Sequence, residues 1–269
     1  AYINHVMTFI DVDKLKPLKL VINSGNGSAG PVVDLLIDKL AQAGAPIEVL
    51  KLHHTPDGSF PNGIPNPMIE ANRTATQQAV LENKADLGIA FDGDFDRCFL
   101  FDEYGEFIDG SYVVGMLAQA FLNKYAGESI VYDPRVIYNT EAVIDEHNGK
   151  AVISKSGHSF IKQVMRDSGA VYGGEMSAHH YFRDFFYCDS GMIPWLLTIE
   201  LLSITGKTLS ELVSGYIAAY PSSGELNFYL TTHDAPAIIS AIEEKFGADK
   251  PTKSMLDGLS LNFGEWRFN

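Results

Sequence analysis

At 269 residues, with 46% hydrophobic content and a formal net charge of -14, the chain is long enough for two domains with real cores. That charge is too acidic to suit nucleic acid or an anionic membrane surface, so an anionic substrate would need a metal ion or a focused arginine and lysine cluster. Two cysteines without a disulfide pattern, Cys98 and Cys188, predict buried thiols in a reducing, cytoplasmic setting, and the longest apolar run, residues 192–204, is broken by Pro194 and Glu200, so no membrane span is expected.

An apolar strand at Leu18–Asn23 enters a glycine-rich turn, and residues 32–40 carry the i, i+3, i+4 spacing of a helix. A strand at Ile47–Leu52, a proline-rich loop at 56–67, a helix at 69–83 and a strand at Leu87–Phe91 follow. This β-α-β-α-β alternation predicts a mainly parallel sheet covered by helices. The pattern then restarts, with a helix at 111–125, a strand at Ser129–Tyr132, a helix at 138–148, a strand at 151–154, a helix at 159–168 and a short strand at 171–173. Helices at 192–204 and 208–220 close it. Residues 225–231 alternate like a strand, 235–246 read as a helix and 259–263 as a strand, a different α+β character. The expected fold is therefore α/β: two consecutive three-layer α/β/α domains with mainly parallel sheets, at 1–107 and 108–221, and the start of an α+β C-terminal domain at 222–269. The chain opens without Met and stops in what reads as mid-strand, so a piece of a longer protein is expected.

Between the strand that ends at Phe91 and the apolar segment that starts at Cys98 lie Asp92-Gly-Asp-Phe-Asp-Arg97. Asp92, Asp94 and Asp96 repel one another severely unless a divalent cation sits between them, which makes the loop a candidate hard-metal site. Arg97 is suited to a phosphate oxygen beside it. A solvated acidic turn fits poorly between two fully apolar flanks. An EF-hand fails because Arg97 stands where the loop needs glycine and residues 98–101 read as strand. An Asp92 nucleophile, as in Asp-x-Asp phosphatases, stays open.

Gly25-Asn-Gly-Ser-Ala-Gly30 matches the dinucleotide fingerprint in its strand-to-helix context, but the second strand ends in Lys51-Leu52-His53 without the acid that a ribose needs. A structural turn is the preferred reading. Gly174-Glu-Met-Ser-Ala-His179-His180 places an acid, a hydroxyl and two imidazoles in one loop, suited to sugar hydroxyls: Glu175 accepts, Ser177 donates or accepts, and a histidine exchanges protons. His180 is expected to be structural, and a zinc site lacks further ligands. Lys155-Ser-Gly-His158 is another strand-to-helix turn whose lysine and free N–H groups could hold a phosphate.

Taken in order, the 92–97 and 174–179 motifs resemble those of the α-D-phosphohexomutase superfamily, closest to its bacterial phosphomannomutases. Asn23-Ser-Gly-Asn-Gly27, Pro56-Asp-Gly-Ser-Phe-Pro61, the 155–158 turn and Asp189-Ser-Gly191 extend the likeness over nearly the whole chain. The resemblance implies four domains around a cleft, of which this chain corresponds to the second, the third and the start of the fourth. It implies Mg²⁺ on Asp92, Asp94 and Asp96, Arg97 steadying the phosphoryl group, Glu175 and Ser177 on sugar hydroxyls, Lys155 near the reacting sugar, and His179 as proton carrier. Catalytic roles thus fall to Arg97, Lys155 and His179, and substrate binding to Glu175, Ser177, His179 and Lys155. The implied reaction interconverts mannose 6-phosphate and mannose 1-phosphate through a bisphosphate, for GDP-mannose and polysaccharide synthesis, with glucose phosphates as further candidate substrates. No Ser-His-Asn-Pro segment for the family's phosphoserine is present, so the chain alone is expected to be inactive. Phe95 and Ala178 stand where many members have glycine.

Overall fold

The computed structural model describes residues 1–230 and 234–269. After a short helix α1 (Tyr2–Val6), the first unit runs β1 (Leu18–Asn23), α2 (Ala29–Gln42), β2 (Ile47–Leu52), α3 (Thr74–Asn83), β3 (Leu87–Phe91) and β4 (Cys98–Phe101). Its sheet has the order β2-β1-β3-β4, with β1 parallel to β2 and β3, and β4 antiparallel. The uninterrupted apolar run of β3 is buried along its whole length, as a central parallel strand requires.

The second unit repeats this plan with α4 (Gly110–Lys124), β5 (Ser129–Tyr132), α5 (Ile137–Glu146), β6 (Lys150–Ile153), α6 (His158–Ser168), β7 (Tyr172–Gly174), β8 (His180–Phe182) and β9 (Cys188–Asp189). The order is β6-β5-β7-β8-β9, so the central first strand and the antiparallel return recur, with one strand added. In both sheets the switch point, where ligands collect in open α/β folds, lies at the C-terminal ends of the central strands. These ends carry the 92–97 and 174–179 loops.

Helix α7 (Met192–Thr205) is buried on all sides through Ser203, as apolar residues all round it require, and it packs with α4 between the two sheets in one continuous core. Glu200 is the exception in that helix. It is 3% exposed, accepts from the Asp11 amide at 2.8 Å and pairs with Lys124, whose Nζ also donates to the Phe9 carbonyl, so one buried carboxylate ties the N-terminal segment to the second unit. Helix α8 (Leu209–Ala219) starts with a capping box of Thr208 and Glu211. Its interior Gly215 has open space where a Cβ would stand. Gly215→Ala should therefore stabilise the chain by about 0.5–1 kcal/mol, read as a higher urea midpoint with an unchanged slope.

The remainder holds α9 (Ala235–Gly247) and an antiparallel sheet of β10 (Thr252–Ser254), β11 (Ser260–Asn262) and β12 (Arg267–Phe268). Phe263 stacks on the exposed Trp266, with Phe246 edge-on to both and to Phe268, and Tyr138 Oη, 2.7 Å from Asn262 Oδ1, docks this part on α5. The strand expected at 225–231 is absent over 225–230, where Leu226, Phe228 and Tyr229 are exposed, and Thr231 lies outside the described residues. Alternation alone does not make a strand without a neighbour to bond. Of the cysteines only Cys98 is fully buried; Cys188, on the edge strand β9, is partly exposed.

Candidate active site

The 92–97 loop follows β3 and is gripped on both sides. Ser28 donates its amide (3.0 Å) and its hydroxyl (3.2 Å) to the Gly93 carbonyl, and a Cβ on Gly27 would stand 2.4 Å from that oxygen. Gly25 and Gly30 are likewise closed off by Pro65 and the His54 carbonyl. All three glycines of the fingerprint serve protein packing, and none is left for a pyrophosphate to approach. From the other side the Gly191 amide donates to the Phe95 carbonyl at 3.1 Å and the Cys98 amide to the Ala178 carbonyl at 3.3 Å.

Within the loop, Asp92 is 3% exposed and accepts from the Arg97 Nε at 2.8 Å and the Arg97 amide at 3.2 Å. Burial nevertheless pushes its carboxyl up to about 6. One ligand oxygen each from Asp92, Asp94 and Asp96 lies within 4.8 Å of the others, and Asp96 Oδ1 is buried without a hydrogen-bond partner, Arg97 Nε standing 3.8 Å away. Three converging oxygens, one orphaned and one held unwillingly ionised, fit a hard divalent cation.

The sugar-type loop meets this one edge to edge, with Arg97 and His179 forming an isolated β-bridge. His179 Nε2 lies 3.4 Å from Asp96 Oδ2, while Nδ1 lies 3.0 Å from Ser177 Oγ and 3.6 Å from Glu175 Oε2. Burial disfavours its cation, but Asp96 and Glu175 outweigh this and raise its pKa above the ordinary histidine value. The His179 hydrogen bond, acting against burial, holds Asp96 below the usual carboxylate range. Asp189 brings a second carboxylate to Asp96 and His179, but it is engaged by Lys162 at 2.7 Å.

Glu175 is buried and already accepts twice, from the Gly157 amide and from Tyr181 Oη, both at 2.6 Å. The 155–158 turn is thereby joined to the sugar-type loop. The Ser156 amide donates to Asp257 Oδ2 at 3.0 Å, which ties the turn to the C-terminal segment. Lys155 is exposed, its Nζ 5.0 Å from the Phe160 ring centroid. Asp92, Asp94, Asp96, Arg97, Ser177, His179 and Glu175 are thus brought together, whereas Lys155 lies over Phe160 and contacts none of them.

His180 is structural: wholly buried, its Nδ1 2.8 Å from Tyr172 Oη, and held neutral by burial, which lowers its pKa to about 3. Phe95 (φ 54°) and Ala178 (φ 69°) adopt the left-handed backbone that favours glycine, which explains why glycine suits both positions. Two polar anchors escaped sequence reasoning. Asp133, fully buried just beyond β5, accepts from the Met176 amide at 2.9 Å and from Arg135, whose side chain reaches to 3.6 Å from Glu225. The signal was there: Asp133-Pro134-Arg135 follows a central parallel strand at a switch point. The other, Tyr181, carried no such signal.

Comparison with known proteins agrees with this fold. The models of the phosphoglucomutase/phosphomannomutase α/β/α domains II and III match residues 1–105 and 109–220. A phosphomannomutase of Salmonella montevideo is 56% identical over the whole chain, and one of Escherichia coli strain K12 is 55% identical, the chain spanning 59% of the length of each. A solved phosphoglucomutase/phosphomannomutase family protein of Burkholderia thailandensis superposes with a TM-score of 0.79 at 27% identity, over 98% of this chain and 55% of that one. With two consecutive domain models laid over its two sheets and this identity along its full length, the chain belongs to the phosphoglucomutase/phosphomannomutase family.

Proposed function

We propose that this chain forms the metal- and sugar-binding part of a phosphohexomutase cleft, and that the full-length protein interconverts mannose 6-phosphate and mannose 1-phosphate through a bisphosphate, supplying GDP-mannose synthesis in the cytoplasm. The observation that carries this is the juxtaposition of Asp96 with His179 and of Arg97 with the sugar-type loop. An arginine suited to phosphate, a carboxylate cluster suited to a divalent cation and side chains suited to sugar hydroxyls then share one surface, which supports the reading.

Asp92, Asp94 and Asp96 would hold Mg²⁺, which when bound supplies charge neutralisation for the transferring phosphoryl group. Arg97 is anchored through Nε on Asp92, which leaves its terminal nitrogens for phosphoryl oxygens. His179, whose cation is favoured, can give a proton to a sugar oxygen and take it back. Ser177 and the remaining lone pairs of Glu175 suit the middle hydroxyls, which a substrate bound in two orientations presents both ways. Lys155 would swing from Phe160 to reach a phosphate. Mannose and glucose phosphates differ only at C2, and no group here is dedicated to that carbon, so both are expected to bind.

The phosphoserine implied by the resemblance is not among these residues, so binding without turnover is expected of this chain. Phosphorus NMR with mannose 1-phosphate should show broadening that requires Mg²⁺ and no free phosphate. Absence of Mg²⁺-dependent broadening would refute the reading. Phosphate release abolished by Asp92→Asn would replace it with an Asp92-nucleophile phosphatase.

A further inference from the structure

Glu175 does not hold itself in place. Its carboxylate stands at the end of β7, and the groups that orient it come from two other elements: the Gly157 amide at the start of α6 on Oε1, and Tyr181 Oη from β8 on Oε2, each at 2.6 Å. Tyr181 pairs with Gly173 across the β7–β8 ladder, so its ring lies against α6 with Val131, Ile161 and Met165 while its hydroxyl emerges beneath the sugar-type loop. The ring is fully buried, 6.3 Å from His179 between centroids, and Lys162 Nζ sits 5.6 Å from its centroid while pairing with Asp189. The only hydrogen bond of the Tyr181 hydroxyl among the described residues is to Glu175. A buried phenol facing a carboxylate keeps its proton, so it is a permanent donor, and a short O–H···O⁻ bond of this kind is among the stronger ones a protein makes.

We infer that Tyr181 is a positioning residue for the sugar site: its hydroxyl fixes the Glu175 carboxylate and, through it, the 155–158 turn. Without it, Oε2 would be left buried with His179 Nδ1, 3.6 Å away, as the nearest donor. The carboxylate would rotate toward the imidazole, Oε1 would leave the Gly157 amide, and the turn that carries Lys155 would loosen. The inference rests on the proposed reading of Glu175 as a sugar ligand.

Tyr181→Phe tests it in the whole chain, because the ring and its apolar contacts are kept. Mannose 1-phosphate binding with Mg²⁺ should weaken about tenfold, as expected for loss of one charge-assisted bond, and the melting temperature should fall by only about 2–6 °C, leaving the chain folded at the assay temperature. The Gly157 amide should shift upfield and exchange faster in ¹H–¹⁵N spectra, with or without ligand. In a double-mutant cycle, Tyr181→Phe should add little to the loss caused by Glu175→Gln, since both remove the same constraint. An unmoved Gly157 amide, unchanged affinity, or strictly additive losses would each overturn the positioning role. If the parent chain itself bound no mannose 1-phosphate while its Gly157 amide still responded to Tyr181→Phe, the sugar reading would fall, and the functional inference with it.

Discussion

Asp92→Asn should weaken divalent-cation binding by at least about 100-fold, about 3 kcal/mol, and should leave the metal-free chain as stable as the parent at pH 7. Both halves follow from one buried carboxylate. Burial raises the Asp92 carboxyl to about 6, so the folded chain holds that proton more tightly than the unfolded one does. For an acid shifted upward, folding gains stability as pH falls through the folded value toward the unfolded value of about 4; above it, the ionised group opposes folding. Asparagine removes that opposition while its carbonyl still accepts from Arg97. A bound cation reverses the balance, because it needs the ionised form. Parent affinity should therefore drop on acidification below about pH 6, by up to roughly tenfold per pH unit, and the variant should lose this dependence. Mn²⁺ titration at pH 7.5 and 5.5, with urea unfolding in EDTA, measures all of it. Tight Mn²⁺ binding by Asp92→Asn would remove Asp92 from the ligand set, and a metal-free loss of several kcal/mol would show that its pairing with Arg97 outweighs burial.

Much of this architecture was legible because it is written in local runs. The wholly apolar Leu87–Phe91 stretch could only be a strand buried on both faces, and the strands at Leu18–Asn23, Ile47–Leu52 and Ser129–Tyr132 stand where their apolar runs put them. Helix ends moved by a few residues; the first turn expected at 69–72 is a 3₁₀ turn at Glu70–Asn72, before α3 begins at Thr74. Strands β8 and β9 were missed. They are three and two residues long within an aromatic stretch, too short to show a period, and exist because β7 offers an edge. At the site the same division holds. The three aspartates alternate within five residues and were visible, as were Glu175, Ser177 and His179. Tyr181 and Gly191 act on loops through contacts that only the folded sheet creates, and the exposure of Lys155 depends on how its turn packs on Phe160.

Gly191→Ala should cost about 2–3 kcal/mol of stability and weaken Mn²⁺ binding about tenfold, although Gly191 is no ligand. Its φ of -73° would suit any residue, so conformational freedom is not the reason for a glycine there. Space is: a Cβ would stand 2.6 Å from the Phe95 carbonyl oxygen and 2.9 Å from that of Arg97, and both belong to backbone that brackets Asp96. The methyl can be accommodated only if the start of α7 or the aspartate loop gives way, and α7 is buried on all sides. The loop should therefore yield, and with it the hydrogen bond from the Gly191 amide to Phe95 and the convergence of the three carboxylates. Gly215→Ala, which meets nothing, supplies the matched control for adding a methyl group. If Gly191→Ala lost stability yet bound Mn²⁺ as the parent does, the loop would be shaped from within its own unit, by Arg97 on Asp92 and Ser28 on Gly93. If both fall together, the metal site of the first unit is held in shape by a helix of the second, and neither unit alone would bind the cation well.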